Sequence, residues 1–429
     1  MRITGTSLRY EREKLKSPFG FKGGFLSELW QVMVKAECND ICGNGIGVQS
    51  VLWSDAEIFG MMSEHDGNML MYRMTEYAAD LVRGEEGDTP IDIIDRIYPQ
   101  LLSYARSISP TGQKLSETFV RNALVSLDNA LWQLYGRMKN TEDIMSLIPE
   151  KYRFPLDKKH EVLCNIPLIS YGVRGEEIKS LLDGGTVLLK IKIGFDNGGK
   201  MSKSEMLEWD KKRILEIHNI AKDYKTPYTQ SGNILYYMDA NSGYDTAERL
   251  EGLLEFAREN GIAERIILLE EPFSPGNDTD VSCFGVRITA DESVHSLEDV
   301  KKRISQGYGA ITLKAVAKTL SETLKILDCA HKNGVPCFCA DLTVNPVLLG
   351  FNMNIAARID AIPGMKIGIL ESNGMQNYVR WDFLTGIHPM YGSAFVSCKD
   401  GLYTLDDEFY NTSGGIFRPC EYYENGKEN

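Results

Sequence analysis

The sequence predicts an α/β protein built on a (β/α)8-type TIM barrel, and two observations carry this prediction. Short apolar runs alternate with amphipathic segments between residues 161 and 388. Three of these runs end in an acid, at Asp239, Glu270 and Asp291. Acids that end neighbouring parallel strands converge at the carboxyl edge of a barrel, where such barrels carry their chemistry.

Eight apolar runs qualify as barrel strands, and amphipathic segments separate most of them. The predicted strands are Val162–Pro167, Val187–Ile193, Ile234–Asp239, Ile266–Glu270, Arg287–Asp291, Ala310–Lys314, Pro336–Ala340 and Met365–Leu370. The predicted helices are Lys203–Lys222, Thr246–Glu259, Leu297–Ser305, Leu320–Lys332 and Leu348–Ala357. Eight strands with helices between them, in about 230 residues, fit a barrel better than an open sheet.

The sequence on either side of the predicted barrel does not show the alternation of short apolar runs and amphipathic segments. Residues 1 to 50 are predicted as strands and loops, with a strand at Glu28–Glu37 and a hairpin turn at Cys42–Gly47. Ser116–Lys139 shows the clearest helical pattern, with apolar residues at three- and four-residue steps. Asp128, inside this helix, is predicted to be hydrogen-bonded or on the surface. Residues after 388 return to strand-like sequence and are expected to pack on the N-terminal part.

Composition excludes several classes of partner. The chain has 429 residues and a formal net charge of −13, which argues against nucleic acid or an anionic membrane as the main partner. No signal peptide is visible and no apolar run reaches the length of a membrane span, so a cytoplasmic location is expected. The nine cysteines show no zinc-like pairing and are predicted to be reduced thiols.

Lysines flank the acid-bearing strands. Lys190 and Lys192 lie two residues apart in the second predicted strand, so both are predicted to face the barrel interior. Burying ammonium groups is costly, which makes two inward lysines unusual. Lys314 ends the sixth predicted strand, so the acid-bearing strands lie between the two lysine positions.

This order predicts a metal between two candidate bases. Clustered carboxylates repel one another unless a cation lies between them, and oxygen-only ligands without His or Cys favour Mg²⁺. Such a site suits removal of a proton next to a substrate carboxylate, because a divalent ion stabilises the resulting enediolate. A lysine becomes a useful base when burial, a metal and a neighbouring ammonium lower its proton affinity. Taken singly, each position also has a structural interpretation: Asp239 as a turn cap, Glu270 paired with Arg265, and Lys314 on the surface.

Five motifs in this order resemble those of the enolase superfamily. They are Lys190-x-Lys192, Asp239-Ala240-Asn241, Glu270-x-Pro272, Asp291-Glu292-Ser293 and Lys314. Within the superfamily the chain resembles the muconate-lactonizing enzyme subgroup, and Ala123–Arg137 resembles a helix of that family's capping domain. The resemblance implies an α+β capping domain over residues 1–160, a barrel over 161–388, and a C-terminal segment, 389–429, that completes the cap.

The resemblance also implies a role for each motif. Asp239, Glu270 and Asp291 would bind Mg²⁺, with Asn241 and Glu292 supporting them. Lys192 and Lys314 would act on opposite faces of the substrate. Lys190 would contact the substrate carboxylate and depress the proton affinity of Lys192. Candidate substrate-binding residues are Phe19, Phe21, Lys22, Trp53, Asn165, Asp341, Glu371 and Asn373.

The sequence departs from the family pattern at the end of strand eight. The dipeptide epimerases of this subgroup carry an Asp-x-Asp there that holds the substrate ammonium, and this chain has Glu371-Ser372-Asn373 instead. Glu371 alone could hold an ammonium or hydroxyl, and Asp341 has a structural or a binding interpretation. Two nearby residues are assigned structural roles: Glu271 is predicted to form a salt bridge, and His295 to be solvated or at a helix start.

Three functions are compatible with these residues. The first is Mg²⁺-dependent racemisation or epimerisation of an acyl amino acid, a dipeptide-like molecule or a related carboxylate. The second is a lyase on the same site, as a syn-dehydratase or a cycloisomerase. The third is a barrel that binds a ligand without catalysis. The expected partner is a small-molecule carboxylate, and a homo-oligomer is expected.

Overall fold

A computed structural model of the chain describes residues 1–21 and 24–424. Its N-terminal part opens with an antiparallel sheet of three strands in the order β1-β2-β3, formed by Gly5–Phe21, Gly24–Cys38 and Ile41–Gln49. Helices α1 to α6 follow at Val51–Ser54, Ala56–Met61, Glu64–Leu81, Pro90–Ile108, Glu117–Lys139 and Ile144–Leu147. The predicted long helix is thus confirmed as α5, and the Ser116 side chain caps it by accepting from the Thr118 N–H.

The predicted hairpin turn at Cys42–Gly47 is wrong, because these residues lie inside β3 and the turn falls at Asn39–Asp40. Their glycines serve packing rather than turning. A Cβ atom at Gly43 would lie 2.3 Å from the Ala130 carbonyl oxygen, and one at Gly45 would lie 2.1 Å from the Ser126 carbonyl oxygen. The absence of side chains lets α5 approach the sheet backbone directly.

The second sheet contains the predicted barrel strands. They are β4 (Val162–Ile166), β5 (Leu168–Ile169), β6 (Leu188–Lys192), β7 (Leu235–Asp239), β8 (Ile266–Glu270), β9 (Ile288–Ala290), β10 (Ala310–Leu313), β11 (Cys337–Cys339) and β12 (Gly368–Glu371). Neighbours in the series β5 to β12 pair in parallel, and β4 pairs in parallel with β12. Pro167 separates β4 from β5, so one run of chain contacts both ends of the series. The fold is therefore a TIM-barrel-like α/β fold.

Helices connect these strands as the sequence predicts. They are α7 (Gly175–Asp183), α8 (Lys203–Ala221), α9 (Ala247–Glu259), α10 (Leu297–Ser305), α11 (Ala315–Lys318), α12 (Leu320–Lys332), α13 (Pro346–Ala356), α14 (Gly374–Asn377) and α15 (Trp381–Gly386). Helices α10 and α12 match the predicted bounds. Helices α7, α11, α14 and α15 were not predicted; the nine residues of α7 hold only two buried side chains, and the other three helices have six residues or fewer.

The end of the described chain returns to both sheets. Strand β13 (Leu402–Thr404) pairs antiparallel with β4, and helices α16 (Asp407–Thr412) and α17 (Glu421–Glu424) follow. The Arg9 guanidinium of β1 donates to the Tyr423 carbonyl oxygen at 2.9 Å. The expected packing of this segment on the N-terminal part is confirmed by that contact. All nine cysteines are free thiols. Among residues 1–21 and 24–424, no helix is long and apolar enough to cross a membrane.

Candidate active site

A cavity of about 530 Å³ lies between the carboxyl ends of the barrel strands and the N-terminal sheet with its first helix. Leu15, Leu26 and Leu29 of the sheet line it from above, so this part of the chain caps the barrel. Most predicted site residues line the cavity. They are Lys190, Lys192, Asp239, Asn241, Glu270, Asp291, Glu292, Lys314, Trp53, Asp341, Glu371 and Asn373.

The two lysines of β6 both reach Asp239 on the neighbouring strand. Lys190 Nζ lies 3.1 Å from Asp239 Oδ2, and Lys192 Nζ lies 2.6 Å from the same atom. This confirms that residues two apart on β6 share the interior face. Burial alone would lower the pKa of Lys190, but the surrounding carboxylates of Glu270 and Glu371 raise it well above its ordinary value.

Three carboxylates form a compact cluster on the next strands. One oxygen each of Glu270, Asp291 and Glu292 lies within 4.8 Å of the others. Burial raises the pKa of Glu270 well above its ordinary value, against the opposing charge of Lys190. Burial, together with the charges of Asp291 and Asp239, also raises the pKa of Glu292. The nearby lysines therefore do not fully compensate the negative charge of this cluster.

On the other side of the cluster, Lys314 forms a buried ion pair with Asp291. Its ammonium also lies 4.0 Å from the ring centroid of Trp53, which comes from α1 of the cap. Burial would raise the pKa of Asp291, but Lys314 and Lys318 hold it well below its ordinary value. Trp53 thus packs directly against a predicted base, as expected for a residue at this cavity.

Asn241 connects Lys192, the proposed base at the end of β6, to the carboxylate cluster. Its side-chain oxygen accepts from Lys192 Nζ, and its Nδ2 donates to Glu292 Oε1 at 2.8 Å. Asn241 has a left-handed backbone with φ of 42°, which places its side chain back over the strand end. This arrangement fits the supporting position predicted for Asn241 and Glu292.

Strand β12, the eighth predicted strand, ends at Glu371, whose carboxylate lies in the cavity. Glu371 Oε2 lies 3.1 Å from Lys190 Nζ. Asp341 accepts from the backbone N–H groups of Leu342, Val344 and Asn373, which fixes two loops at the cavity wall. Burial raises the pKa of Asp341 to about 7. The structure thus favours a structural role for Asp341, whereas Glu371 lines the cavity as the ion-pair partner of Lys190.

Asn165 does not line the cavity, contrary to the prediction. Residues alternate along β4, and Cys164 and Ile166 belong to the interior cluster of the barrel. Asn165 therefore faces the opposite side, and its N–H donates to the Gly401 carbonyl oxygen at 2.9 Å. Lys22 and the side chains of Phe19 and Phe21 lie outside the described part of the chain.

Of two further assignments, the salt bridge predicted for Glu271 is wrong and the helix-start position predicted for His295 is confirmed. Glu271 forms no salt bridge with any described residue; it accepts instead from the Asp291 and Ser293 N–H groups at 2.6 and 2.9 Å. Glu271 therefore fixes the backbone on both sides of Glu292, next to the candidate metal ligands. His295 lies at the start of α10, one of its two predicted environments, and it is partly buried. Its Nδ1 lies 2.5 Å from Thr118 Oγ1, and burial lowers its pKa to about 4.

Sequence reasoning missed Lys318 and Tyr237. Lys318 is 1% exposed, and its Nζ donates to the Asp291 carbonyl oxygen at 2.7 Å. Lys314 directly precedes α11 and Lys318 ends it, and this four-residue spacing is the signal that could have predicted that the two lysines lie close together. Tyr237 precedes Asp239 by two residues, so strand alternation would have found it. Its ring centroid lies 4.6 Å from Lys190 Nζ.

The residues present fit a divalent cation. Glu270 Oε2, Asp291 Oδ1 and Glu292 Oε2 are buried carboxylate oxygens without a hydrogen-bond donor. Although Glu270 Oε2 lies 3.2 Å from Lys190 Nζ, that contact leaves it unsatisfied by hydrogen-bond geometry. Buried oxygens of this kind are costly unless a cation binds them, and an all-oxygen set suits Mg²⁺. The cluster includes Glu292, whereas Asp239 is turned toward the lysines.

Comparison with known proteins agrees with this geometry. Residues 176–387 match the family described as enolase C-terminal domain-like. An L-Ala-D/L-amino acid epimerase from Populus trichocarpa is 22% identical over 354 residues, covering 80% of this chain and 71% of the relative. The fold is similar to a dipeptide epimerase from Enterococcus faecalis V583 complexed with Mg and the dipeptide L-Leu-L-Tyr. That likeness has a TM-score of 0.66 and 17% identity, over 95% of this chain and 98% of the other.

A second solved structure is similar to the same extent. The N-succinyl Arg/Lys racemase from Bacillus cereus ATCC 14579 has a TM-score of 0.64 and 17% identity, over 88% of this chain and 89% of the other. The fold, the ordered motifs and the family match together define the class. The chain belongs to the enolase superfamily, as an isomerase related to mandelate racemase and muconate lactonizing enzyme.

Proposed function

We propose that the chain catalyses Mg²⁺-dependent racemisation or epimerisation at the carbon next to a substrate carboxylate. The observation that carries the proposal is the position of the two bases. Lys192 ends β6 and Lys314 follows β10, so three acid-bearing strands lie between them in the sheet. The carbon next to the carboxylate of a substrate bound over these strands would present its opposite faces to the Nζ atoms of Lys192 and Lys314.

The reaction needs one proton to leave and another to arrive. One lysine Nζ takes the α-proton as the C–H bond breaks, and the electron pair passes into the carboxylate as an enediolate. The other lysine Nζ delivers a proton to the opposite face, which inverts the carbon without net gain or loss of atoms. In the reverse direction the lysines exchange roles.

The roles of the remaining residues belong to the same proposal. Asp239, Glu270 and Asp291 would hold Mg²⁺, and Glu292 lies close enough to support it. The cation would supply electrostatic stabilisation of negative charge on the substrate carboxylate. Lys190 would bind that carboxylate and, as a second ammonium, favour the neutral form of Lys192. We also propose the division into residues 1–160, 161–388 and 389–429.

An acyl amino acid or dipeptide-like carboxylate is the proposed substrate class. Support comes from the epimerase and racemase relatives and from Glu371, which offers one carboxylate where an ammonium or amide could bind. Trp53, Asn373 and Asp341 line the same cavity and would shape the pocket. Phe19, Phe21 and Lys22 remain predicted contributors. No contact among the described residues favours the lyase alternative.

Solvent exchange tests the proposal. The enzyme with Mg²⁺ is incubated in D₂O with acyl amino acids, dipeptides and sugar acids, and loss of the α-proton signal is followed by NMR. Lys192→Ala is expected to abolish exchange from one epimer, and Lys314→Ala from the other, because each lysine serves one face. Lys212→Ala, on the exposed side of α8, is the matched control. Exchange from both epimers in both active-site variants would refute the proposal.

A further inference from the structure

The outer helix α8 carries a carboxylate that the proposed reaction does not use. Asp210 is fully buried, yet it does not line the cavity. A buried carboxylate is costly unless it accepts several hydrogen bonds, so its partners indicate what it holds in place. Those partners lie in the loops that follow the base-bearing and acid-bearing strands.

Both carboxylate oxygens of Asp210 accept from one backbone group. The Gly194 N–H donates to Oδ1 at 2.9 Å and to Oδ2 at 2.8 Å. Gly194 follows Lys192 by two residues and has φ of 81°, a conformation that favours glycine. Asp210 therefore fixes the point at which the chain leaves the strand carrying the proposed base.

The same oxygen, Oδ2, also accepts from the Tyr244 hydroxyl at 2.8 Å. Tyr244 lies in the loop after β7, and its N–H donates to the Pro272 carbonyl oxygen at 3.0 Å, in the loop after β8. One carboxylate thus joins, directly or through Tyr244, the loops that follow Lys192, Asp239 and Glu270.

The loop after β6 and the loop after β7 are packed against each other. A Cβ atom on Gly243 would lie 2.9 Å from Gly194 Cα, so the two backbones are in contact. On its other side, the loop after Lys192 is held by the Tyr171 hydroxyl, which donates to the Ile193 carbonyl oxygen at 3.0 Å. A shift of the Asp210 carboxylate would therefore move Lys192 and Asn241 together.

We propose that Asp210 is a positioning residue for Lys192, acting through Gly194 and Tyr244. The inference rests on the proposed two-base reaction. Lys314 follows β10, and no described contact joins it to Asp210. Asp210 contacts Gly194, two residues after Lys192, directly, and it reaches the loop after Glu270 only through Tyr244. The larger effect is therefore expected on the Lys192 side. Replacing Asp210 should slow removal of the proton that Lys192 takes and leave the Lys314 side nearly unchanged.

The test compares the two half-reactions in Asp210→Asn. α-Proton exchange into D₂O is measured separately from each epimer, with the Lys192 epimer identified as the one that Lys192→Ala silences. We expect a fall of about tenfold or more in kcat for that epimer, because small displacements of a reacting group cost large factors in rate. The other epimer is expected to keep its kcat within about twofold, and KM is expected to change little for either.

Asp128→Asn is the matched control, because Asp128 is equally buried and also accepts from a backbone N–H and a hydroxyl, both of Ser321. It should slow neither epimer selectively. If Asp210→Asn does not fold, Tyr244→Phe removes one donor and should give a smaller fall with the same one-sidedness. An equal fall for both epimers, or no fall, would overturn the inference. If instead Lys192→Ala and Lys314→Ala fail to separate the epimers, the proposed function itself fails.

Discussion

At the residue scale, the cluster of Glu270, Asp291 and Glu292 combines mutual repulsion with buried oxygens that have no hydrogen-bond donor. Each additional carboxylate in a buried site raises the energy of the charged state unless positive charge accompanies it. Lysines supply part of that positive charge, and the carboxylate oxygens without a hydrogen-bond donor indicate that a bound cation would supply the rest. Mg²⁺ affinity should therefore depend strongly on each acid.

Glu270→Gln is expected to weaken Mg²⁺ binding by at least about tenfold, because it replaces an anionic oxygen ligand with a neutral one. Isothermal titration calorimetry with MgCl₂ measures the change. Glu259→Gln, on the exposed end of α9, is the control and should bind Mg²⁺ like the unchanged protein. Equal affinity in Glu270→Gln and the control would exclude Glu270 as a ligand.

Strand residues at the site were predictable from the alternation of side chains, whereas the helix residues Lys318 and Asp210 were not. Lys190, Lys192 and Asp239 follow from alternation along strands that end at one edge. Asp210 and Lys318 come from helices, and their burial depends on how those helices dock onto the loops. Asn165 shows the reverse error: it lies on a barrel strand, but on the face that alternation assigns to the outside.

At the element scale, the glycines of β3 allow its backbone to come into direct contact with the backbone of α5. The glycines that sequence reasoning assigned to a turn are instead the points of closest approach. A glycine pattern alone does not distinguish a turn from a packing surface, because both need a missing side chain. Helix α7 escaped prediction for a different reason: only Ile178 and Leu182 are buried, so its apolar face is too narrow to show a helical period.

Gly45→Ala should destabilise the fold by about 2 kcal/mol or more, because the added methyl group would meet backbone atoms that cannot turn aside. The nearest is the Ser126 carbonyl oxygen at 2.1 Å. Gly60→Ala in α2 is the matched control, since a Cβ atom added there would have no neighbouring atom within 4 Å, and alanine favours helix. Urea denaturation of both variants gives the difference, and equal midpoints would contradict the prediction.

At the scale of the whole molecule, stability should depend on pH through buried histidine. Burial lowers the pKa of His388 to about 4, and its Nδ1 accepts from the Met390 N–H at 3.0 Å. The unfolded chain binds this proton near pH 6.5 and the folded chain only near pH 4. The stabilising effect of the neutral ring is therefore fully present above about pH 6.5 and is lost as the pH falls toward about 4.

His388→Asn keeps an acceptor but removes the titrating group. Between pH 7.5 and pH 5, the unchanged protein should lose about 2 kcal/mol more of its unfolding free energy than the variant. The pKa of His295 is also lowered, but His295 is present in both proteins, so its effect cancels. Urea unfolding curves at the two pH values measure the difference, and parallel losses in both proteins would contradict the assignment.

The docking of α5 has a consequence for how the cavity opens. One side of the helix is fixed to the sheet through Gly43 and Gly45, and the other side to the barrel, where Asp128 accepts from the Ser321 N–H and Trp132 donates to Ser321 Oγ. Neither shear between cap and barrel nor sliding of the sheet over the helix is compatible with these contacts. Ligand entry and product release are then expected to depend on local movement of the residues that line the cavity, and not on displacement of the whole cap.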